Sequence, residues 1–281
     1  MDYTEGADMT QHSLVSVLMP VFNDIATLSA SVASVRAQSY ADWELLLIDD
    51  GSDDDTVVLA TALAAEDPRI RLLRMPANAG AAAARNMGLD HSRGRYIALL
   101  DADDIWHPEK LSRQLAFMDR RGAALSFTGY SRVSPDGAQI ERVHVPDRVE
   151  YRTLLRRNIM GALTVIYDAE ALGRVPMPEL ARQHDFALWL RLTRLHGPAH
   201  GLDEDLATYL VRPGSLSGNK RRAACDAWRV YRHCEELPLF SALKYFACYT
   251  YYGLRYRLFQ RAKLTPETVS PKGSVDADLR R

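Results

Sequence analysis

Four short apolar runs, each followed by a helix-forming stretch, constrain this chain more than any other feature. Leu14–Met19 (LVSVLM), Glu44–Ile48 (ELLLI), Ile70–Met75 and Arg95–Leu100 (RYIALL) are continuous enough to read as strands buried on both faces. Helical patterns follow at Ile25–Gln38, at about residues 53–65, along the alanine-rich AGAAAARNMGLDHS, and at Pro108–Arg121. Pro108 suits a first helical turn, where its missing N–H costs nothing. Strands alternating with helices predict βαβ units, a parallel sheet and right-handed crossovers.

From Ala123 to Leu210 the pattern becomes mixed. An apolar run at Ala123–Thr128 leads into a hairpin through Pro135-Asp136-Gly137. A helix near Tyr151–Arg157, a strand near Leu163–Tyr167 and a helix near Asp185–Leu195 follow. Residues 1–12 read as a flexible N-terminus and 264–281 as a disordered tail with almost nothing to bury. The 47% hydrophobic and 25% charged composition supports a sizeable core between them.

Other bulk features bear on location. No apolar run approaches the roughly 20 residues that span a bilayer, and MDYTEGADMTQHS is neither secretory signal nor transit peptide. Cys225, Cys234 and Cys248 are odd in number and lack metal-ligand spacing, which points to a reducing cytoplasm. The net charge of −1 conceals an asymmetry: Arg212 to Lys263 holds eleven Lys/Arg against three Asp/Glu. An acidic body thus carries a basic C-terminal arm.

In open α/β sheets, ligands bind beyond the carboxyl ends of the strands. Two acidic clusters fall there: Asp49-Asp50-Gly51-Ser52-Asp53-Asp54-Asp55 after the second strand, and Asp101-Ala102-Asp103-Asp104 after the fourth. Ser52 or Asp53 as helix N-cap accounts for part of the first cluster but gives Asp49 and Asp50 no role. The second cluster lies upstream of its helix. An Asp-x-Asp pair there offers hard oxygen ligands to Mg²⁺ or Mn²⁺, although solvated acidic loops look alike. A Rossmann oxidoreductase is disfavoured, because the first turn, Pro-Val-Phe-Asn-Asp, lacks the glycines that admit a pyrophosphate.

Taken together, Pro20-Val21-Phe22-Asn23, Asp49-Asp50-Gly51-Ser52, Ala84-Arg85-Asn86-Met87-Gly88 and Leu100-Asp101-Ala102-Asp103-Asp104 resemble the inverting family 2 glycosyltransferases of the GT-A fold. The resemblance runs from about Val15 to Ser217 and is stronger in the first half. It implies an α/β fold with a GT-A-like mixed sheet and a Rossmann-like N-terminal half. Residues 13–121 would form the nucleotide-sugar half, 122–217 the acceptor half and 218–263 a basic, aromatic helical extension. It also implies a nucleoside diphosphate sugar donor, a divalent cation and inversion at the anomeric carbon.

By matching position, Pro20, Val21, Phe22, Asn23 and Asp50 would hold the nucleobase, and Arg85 would lie near the nucleotide. Asp101, with Ala102 beside it, would approach the ribose, and Asp103 would bind the metal. Gly80 and Gly88 read equally as glycines relieving strain at helix ends. The catalytic base falls at Asp185 in Gln183-His184-Asp185-Phe186. His184, on the acceptor side, replaces the Glu usual in the family. Phe186, Trp189 and Leu190 read as core. Arg212 stands where many relatives carry His, and either pairs with the donor diphosphate or is a surface arginine.

The arm after Ser217 interleaves aromatics with Lys and Arg. That composition suits an anionic membrane surface, and equally a helical hairpin packed on the body with a solvated basic face. No nucleic-acid module is present upstream. Resemblance to bacterial polysaccharide enzymes implies a saccharide or lipid-linked acceptor at the inner face of the cell membrane. The departures at His184 and Arg212 leave a catalytically inactive sugar-nucleotide-binding module as the alternative.

Overall fold

The computed structural model describes residues 13–211 and 220–264. Strands β1 (Val15–Val21), β2 (Trp43–Asp49), β3 (Ile70–Arg74) and β4 (Tyr96–Leu99) lie parallel in the order β3-β2-β1-β4. Side chains alternate between the two faces of a strand, so each apolar run feeds two cores. Val15, Val17 and Met19 join Leu45 and Leu47 on one side, under helices α1 (Leu28–Arg36), α2 (Thr56–Glu66) and α4 (Lys110–Arg121). Leu18, Leu46, Ile48 and Leu99 face the other side, under α3 (Ala81–His91) and α7 (His184–His196). Each such Val or Leu, fully buried, stabilises the layers by about 1.5–3 kcal/mol.

Past β4 the sheet becomes mixed. Strand β9 (Ile166–Asp168) runs antiparallel to β4, and β6 (Leu125–Val133) antiparallel to β9. Strand β10 (Ala199–Leu210) then lies parallel to β6, with the two-residue β5 (Ile105–Trp106) antiparallel along its far edge. The hairpin at Pro135–Gly137 is present: β7 (Gln139–Val143) pairs with β6, and Gly137 takes φ 83°. The short strand β8 (Arg148–Val149) pairs with the start of β10. The α/β class and mixed sheet inferred from the sequence are therefore present.

Several boundaries differ, each for a local reason. Strand β10 escaped the sequence reading because Asp203, Glu204 and Asp205 interrupt its alternation, and its pairing slips at bulges around Asp205. Helix α5 (Tyr151–Leu154) is shorter than expected, and Ala162–Thr164 forms a 3₁₀ turn before β9 pairs; α6 (Ala169–Leu172) follows. Asp55, not Ser52 or Asp53, precedes α2, and Asp54 Oδ1 accepts the Thr56 N–H at 2.9 Å. Gly88 is no helix-end glycine. A Cβ there would lie 2.9 Å from Ile48 Cδ1, so the missing side chain lets α3 settle onto β1 and β2.

The arm forms α8 (Lys220–Arg229), a π-helical segment at Val230–Cys234, and α9 (Leu239–Leu264). It packs on the body: Val230, Tyr231 and Ala242 are buried in the core under α7, and Trp228 meets Phe246 edge-on at 5.5 Å. No helix among the described residues is long and apolar enough to cross a membrane. All three cysteines are free thiols. The expected flexible N-terminus (1–12), nearly all of the tail and Arg212 lie outside the described residues.

One buried cation gives the fold a testable pH signature. Lys110 is wholly buried, donating to Gln114 Oε1 at 2.6 Å with its Nζ 4.6 Å from the Trp106 ring centre. Burial lowers its pKa from 10.5 to about 7. Between those values the unfolded chain binds a proton that the folded chain does not, so stability should rise as pH climbs from about 7 towards 10. Urea denaturation midpoints should show this slope in the parent and a flattened one in Lys110→Met.

Candidate active site

The loops at the carboxyl ends of β1–β4 are locked together by polar side chains. Asn23 follows β1 in a left-handed conformation, φ 54°, which Asn tolerates better than most residues. Its Nδ2 donates to Asp53 Oδ1 at 2.7 Å, its Oδ1 accepts the Asp53 N–H at 3.1 Å, and its N–H donates to Ser52 Oγ at 3.1 Å. Of its neighbours, Val21 is buried, Pro20 is half-buried and Phe22 is exposed.

Asp49 and Asp50 acquire structural roles here. Asp49 Oδ1 accepts the Ser52 N–H at 3.1 Å, and its Oδ2 lies 3.7 Å from Arg74 Nε. The two oxygens of Asp50, which is 3% exposed, accept the N–H groups of Ala79 at 2.7 Å and Gly80 at 2.8 Å. These charge-assisted bonds fix the loop that opens α3. Gly51 takes φ 75°, and a Cβ there would meet Asn78 N at 2.7 Å. The two loops touch backbone to backbone, which only glycine permits at this place.

Helix α3 then carries Arg85 beneath the acidic loop after β4. Arg85 is 4% exposed; its Nη2 pairs with Asp101 and its Nη1 lies 2.6 Å from His184 Nε2. A guanidinium can only donate, so His184 Nε2 accepts and the imidazole is neutral, its Nδ1–H directed at Leu180 O, 3.3 Å away. Burial first, and then the Arg85 charge, hold the His184 pKa below its ordinary 6.5. His184, expected on the acceptor side, is thus buried and turned towards Arg85.

The carboxylates of Asp101, Asp103 and Asp104 each offer an oxygen within 4.8 Å of the others, close enough to share one divalent ion. Ala102 is buried between them, and Asp104 Oδ1 accepts the Leu210 N–H at 3.3 Å, tying the cluster to the end of β10. Asp185, half-exposed in the first turn of α7, directly follows His184. One chain of contacts therefore runs from Asp101 through Arg85 and His184 to the turn that carries Asp185.

Sequence reasoning missed two neighbours of that turn. Gln183 precedes α7 at φ 61°, and its Nε2 lies 3.3 Å from the Tyr249 hydroxyl of α9. Burial, and secondarily the Asp185 carboxylate, raise the pKa of Tyr249. Nothing in the sequence marks a pairing across 66 positions.

Two measurements test this arrangement. Asp101→Ala strands the buried Arg85 charge. Chemical denaturation should show Asp101→Ala less stable by about 2–3 kcal/mol, below the value for a wholly buried pair because Asp101 is partly solvated. As pH falls below 6.5, unfolded His184 takes up a proton that the folded residue resists, so stability declines. His184→Gln, which accepts from Arg85 without titrating, should lose part of that decline between pH 7.5 and 5.5.

Known proteins share both the sequence and the fold. The chain is 39% identical over 246 residues to TuaG of Bacillus subtilis, a glycosyltransferase named for teichuronic acid biosynthesis, covering 87% of this chain and 98% of that one. It is 33% identical over 247 residues to WfgD of Escherichia coli, a UDP-Glc:alpha-D-GlcNAc-diphosphoundecaprenol beta-1,3-glucosyltransferase, covering 88% and 96%. In structure it resembles residues 1–349 of S. aureus TarS in complex with UDP: TM-score 0.66, 17% identity, 90% of this chain and 75% of that one. A similar match, TM-score 0.66 at 16% identity over 90% and 74% of the two chains, is the Pyrobaculum calidifontis mannosyltransferase PcManGT with GDP-Man and Mn²⁺. The description "Glycosyl transferase family 2" matches residues 16–177, a span that includes the Asn23, Asp50, Arg85 and Asp101–Asp104 loops, and the chain belongs to that family.

Proposed function

We propose that this glycosyltransferase moves a sugar from a nucleoside diphosphate to a hydroxyl of a saccharide acceptor, with inversion, in bacterial cell-surface polysaccharide synthesis. The observation that carries this reading is the continuous contact from the Asp101–Asp104 cluster, through Arg85 and His184, to the α7 turn bearing Asp185. Donor-side acids and a candidate base are thereby held by one buried side chain. The relatives support the same reading. WfgD is named for a UDP-sugar donor and a lipid-diphosphate-linked acceptor, and TuaG for synthesis of a wall polymer.

In this proposal residues 13–121 bind the donor and 122–217 the acceptor. The exposed Phe22 ring and the backbone of Pro20–Asn23 receive the nucleobase beside the loop that Asp50 fixes. Asp101, oriented by Arg85, approaches the ribose alongside Ala102. Arg212, which lies outside the described residues, is assigned to the diphosphate. The oxygen-only donor set at Asp101, Asp103 and Asp104 fits Mg²⁺ or Mn²⁺, with Asp103 as chief ligand by its place in the family's acidic motif. Such an ion, when bound, neutralises charge on the departing diphosphate.

The acceptor hydroxyl then attacks the anomeric carbon from the face opposite the diphosphate. The new carbon–oxygen bond forms as the bond to phosphate breaks, and Asp185 takes the hydroxyl proton. The neutral His184 cannot compete for that proton while its Nε2 accepts from Arg85.

Release of nucleoside diphosphate from a panel of UDP- and GDP-sugars, with and without acceptor, tests the proposal. Asp185→Asn should cut turnover by about 10²–10⁴-fold while leaving donor affinity unchanged. Asp103→Ala and excess chelator should each abolish transfer. Tight donor binding with no turnover on any acceptor would make the chain a binding module; full activity in chelator would remove the metal from the scheme.

A further inference from the structure

Helix α9 is apolar on two opposite faces. Its inner face is accounted for: Ala242 is buried, Tyr245 and Phe246 pack on the core, and Tyr249 reaches Gln183. The outer face is not. Phe240 is 86% exposed, and Leu243, Tyr251 and Leu254 continue the same side of the helix at spacings of three, eight and three. Six of the eleven exposed large hydrophobic side chains among the described residues lie on this one helix. A helix apolar on two opposite faces calls for a partner on both, and so concentrated a patch marks an interaction surface.

Charge identifies the partner. From Leu239 to Leu264 the helix carries Lys244, Arg255, Arg257, Arg261 and Lys263 and not one Asp or Glu. Lys244 and Arg255 are exposed beside the apolar row. A second copy of the chain would bring Lys244 and Arg255 against their own counterparts. A neutral apolar partner would leave them unused. An anionic lipid surface satisfies both features at once, because its headgroups attract the cations and its acyl boundary receives Phe, Leu and Tyr.

We propose that the outer face of α9 docks on an anionic bilayer surface without crossing it. The opposite face of the same helix holds the Gln183–Tyr249 contact beside Asp185, so docking would bring the acceptor side of the site close to the lipid. The proposal is independent of the transfer reaction, since vesicles containing no acceptor are the probe.

Co-sedimentation of the full chain with phosphatidylglycerol-containing and with pure phosphatidylcholine vesicles tests it. Each nearby cation should strengthen binding roughly fivefold, and exposed charges are screened over about 8 Å at physiological salt. Binding should therefore be confined to the anionic vesicles and weaken as salt rises. Phe240→Ser combined with Leu243→Ser and Leu254→Ser should reduce it about tenfold or more. So should Gln at Lys244, Arg255, Arg257, Arg261 and Lys263, with UDP affinity and melting temperature retained in both variants. Absence of binding to anionic vesicles, equal binding to neutral ones, or binding unchanged in both variants would overturn the proposal. So would a dimer in light scattering that the serine variant converts to monomer, because the face would then belong to a second copy.

Discussion

A guanidinium taken out of water must be paired and hydrogen-bonded or it destabilises whatever buries it. Arg85 meets most of that demand with Asp101 on one side and the neutral His184 on the other, while its buried Nε has no hydrogen-bond partner. The pairing joins three elements that are distant in the chain: α3, the loop after β4, and the start of α7. Were Arg85 solvated, the acidic loop after β4 and Asp185 would be positioned independently. Buried, it makes the loop and the helix answer to one another. His184 suits this role because its unprotonated Nε2 accepts a hydrogen bond without placing a second carboxylate beside Asp101.

The carboxyl-end loops show the same economy. Acids that crowd one surface repel unless each is given donors, and here most are. Asp50 holds two N–H groups of the loop before α3, Asp49 holds Ser52, and Asp104 accepts from β10. Gly51 lets two backbones touch where any Cβ would intrude. A cluster that reads as a run of negative charge is, in three dimensions, partly a set of backbone clamps. The carboxylates of Asp101, Asp103 and Asp104 converge after β4.

The C-terminal arm changes meaning once it is seen folded. Its composition alone suited a membrane surface and a packed hairpin equally. The structure shows that packing claims one face of α9, through Ala242, Tyr245 and Phe246, and leaves the opposite face apolar and exposed. The packed-hairpin reading thus accounts for one side of the helix only. The packed side also delivers Tyr249 to the turn before Asp185.

The parallel half of the sheet was legible from residues alone, because β1, β2 and β4 are buried on both faces and their apolar runs alternate with helical patterns, whereas β3, at the edge, is only half-buried. The acidic loops were legible too, since their place at strand ends follows from the alternation. Beyond the fourth strand the signal faded. Strand β10 carries charges that its bulges turn outward, and β5 is too short to have a period. What only tertiary structure decided were the pairings across long separations: Arg85 with His184 across 99 positions, Gln183 with Tyr249 across 66, and the orientation of Asp50 towards backbone rather than solvent. Local sequence fixes which residues prefer burial or a turn. Which polar groups satisfy one another depends on how the layers stack, and no local preference encodes that.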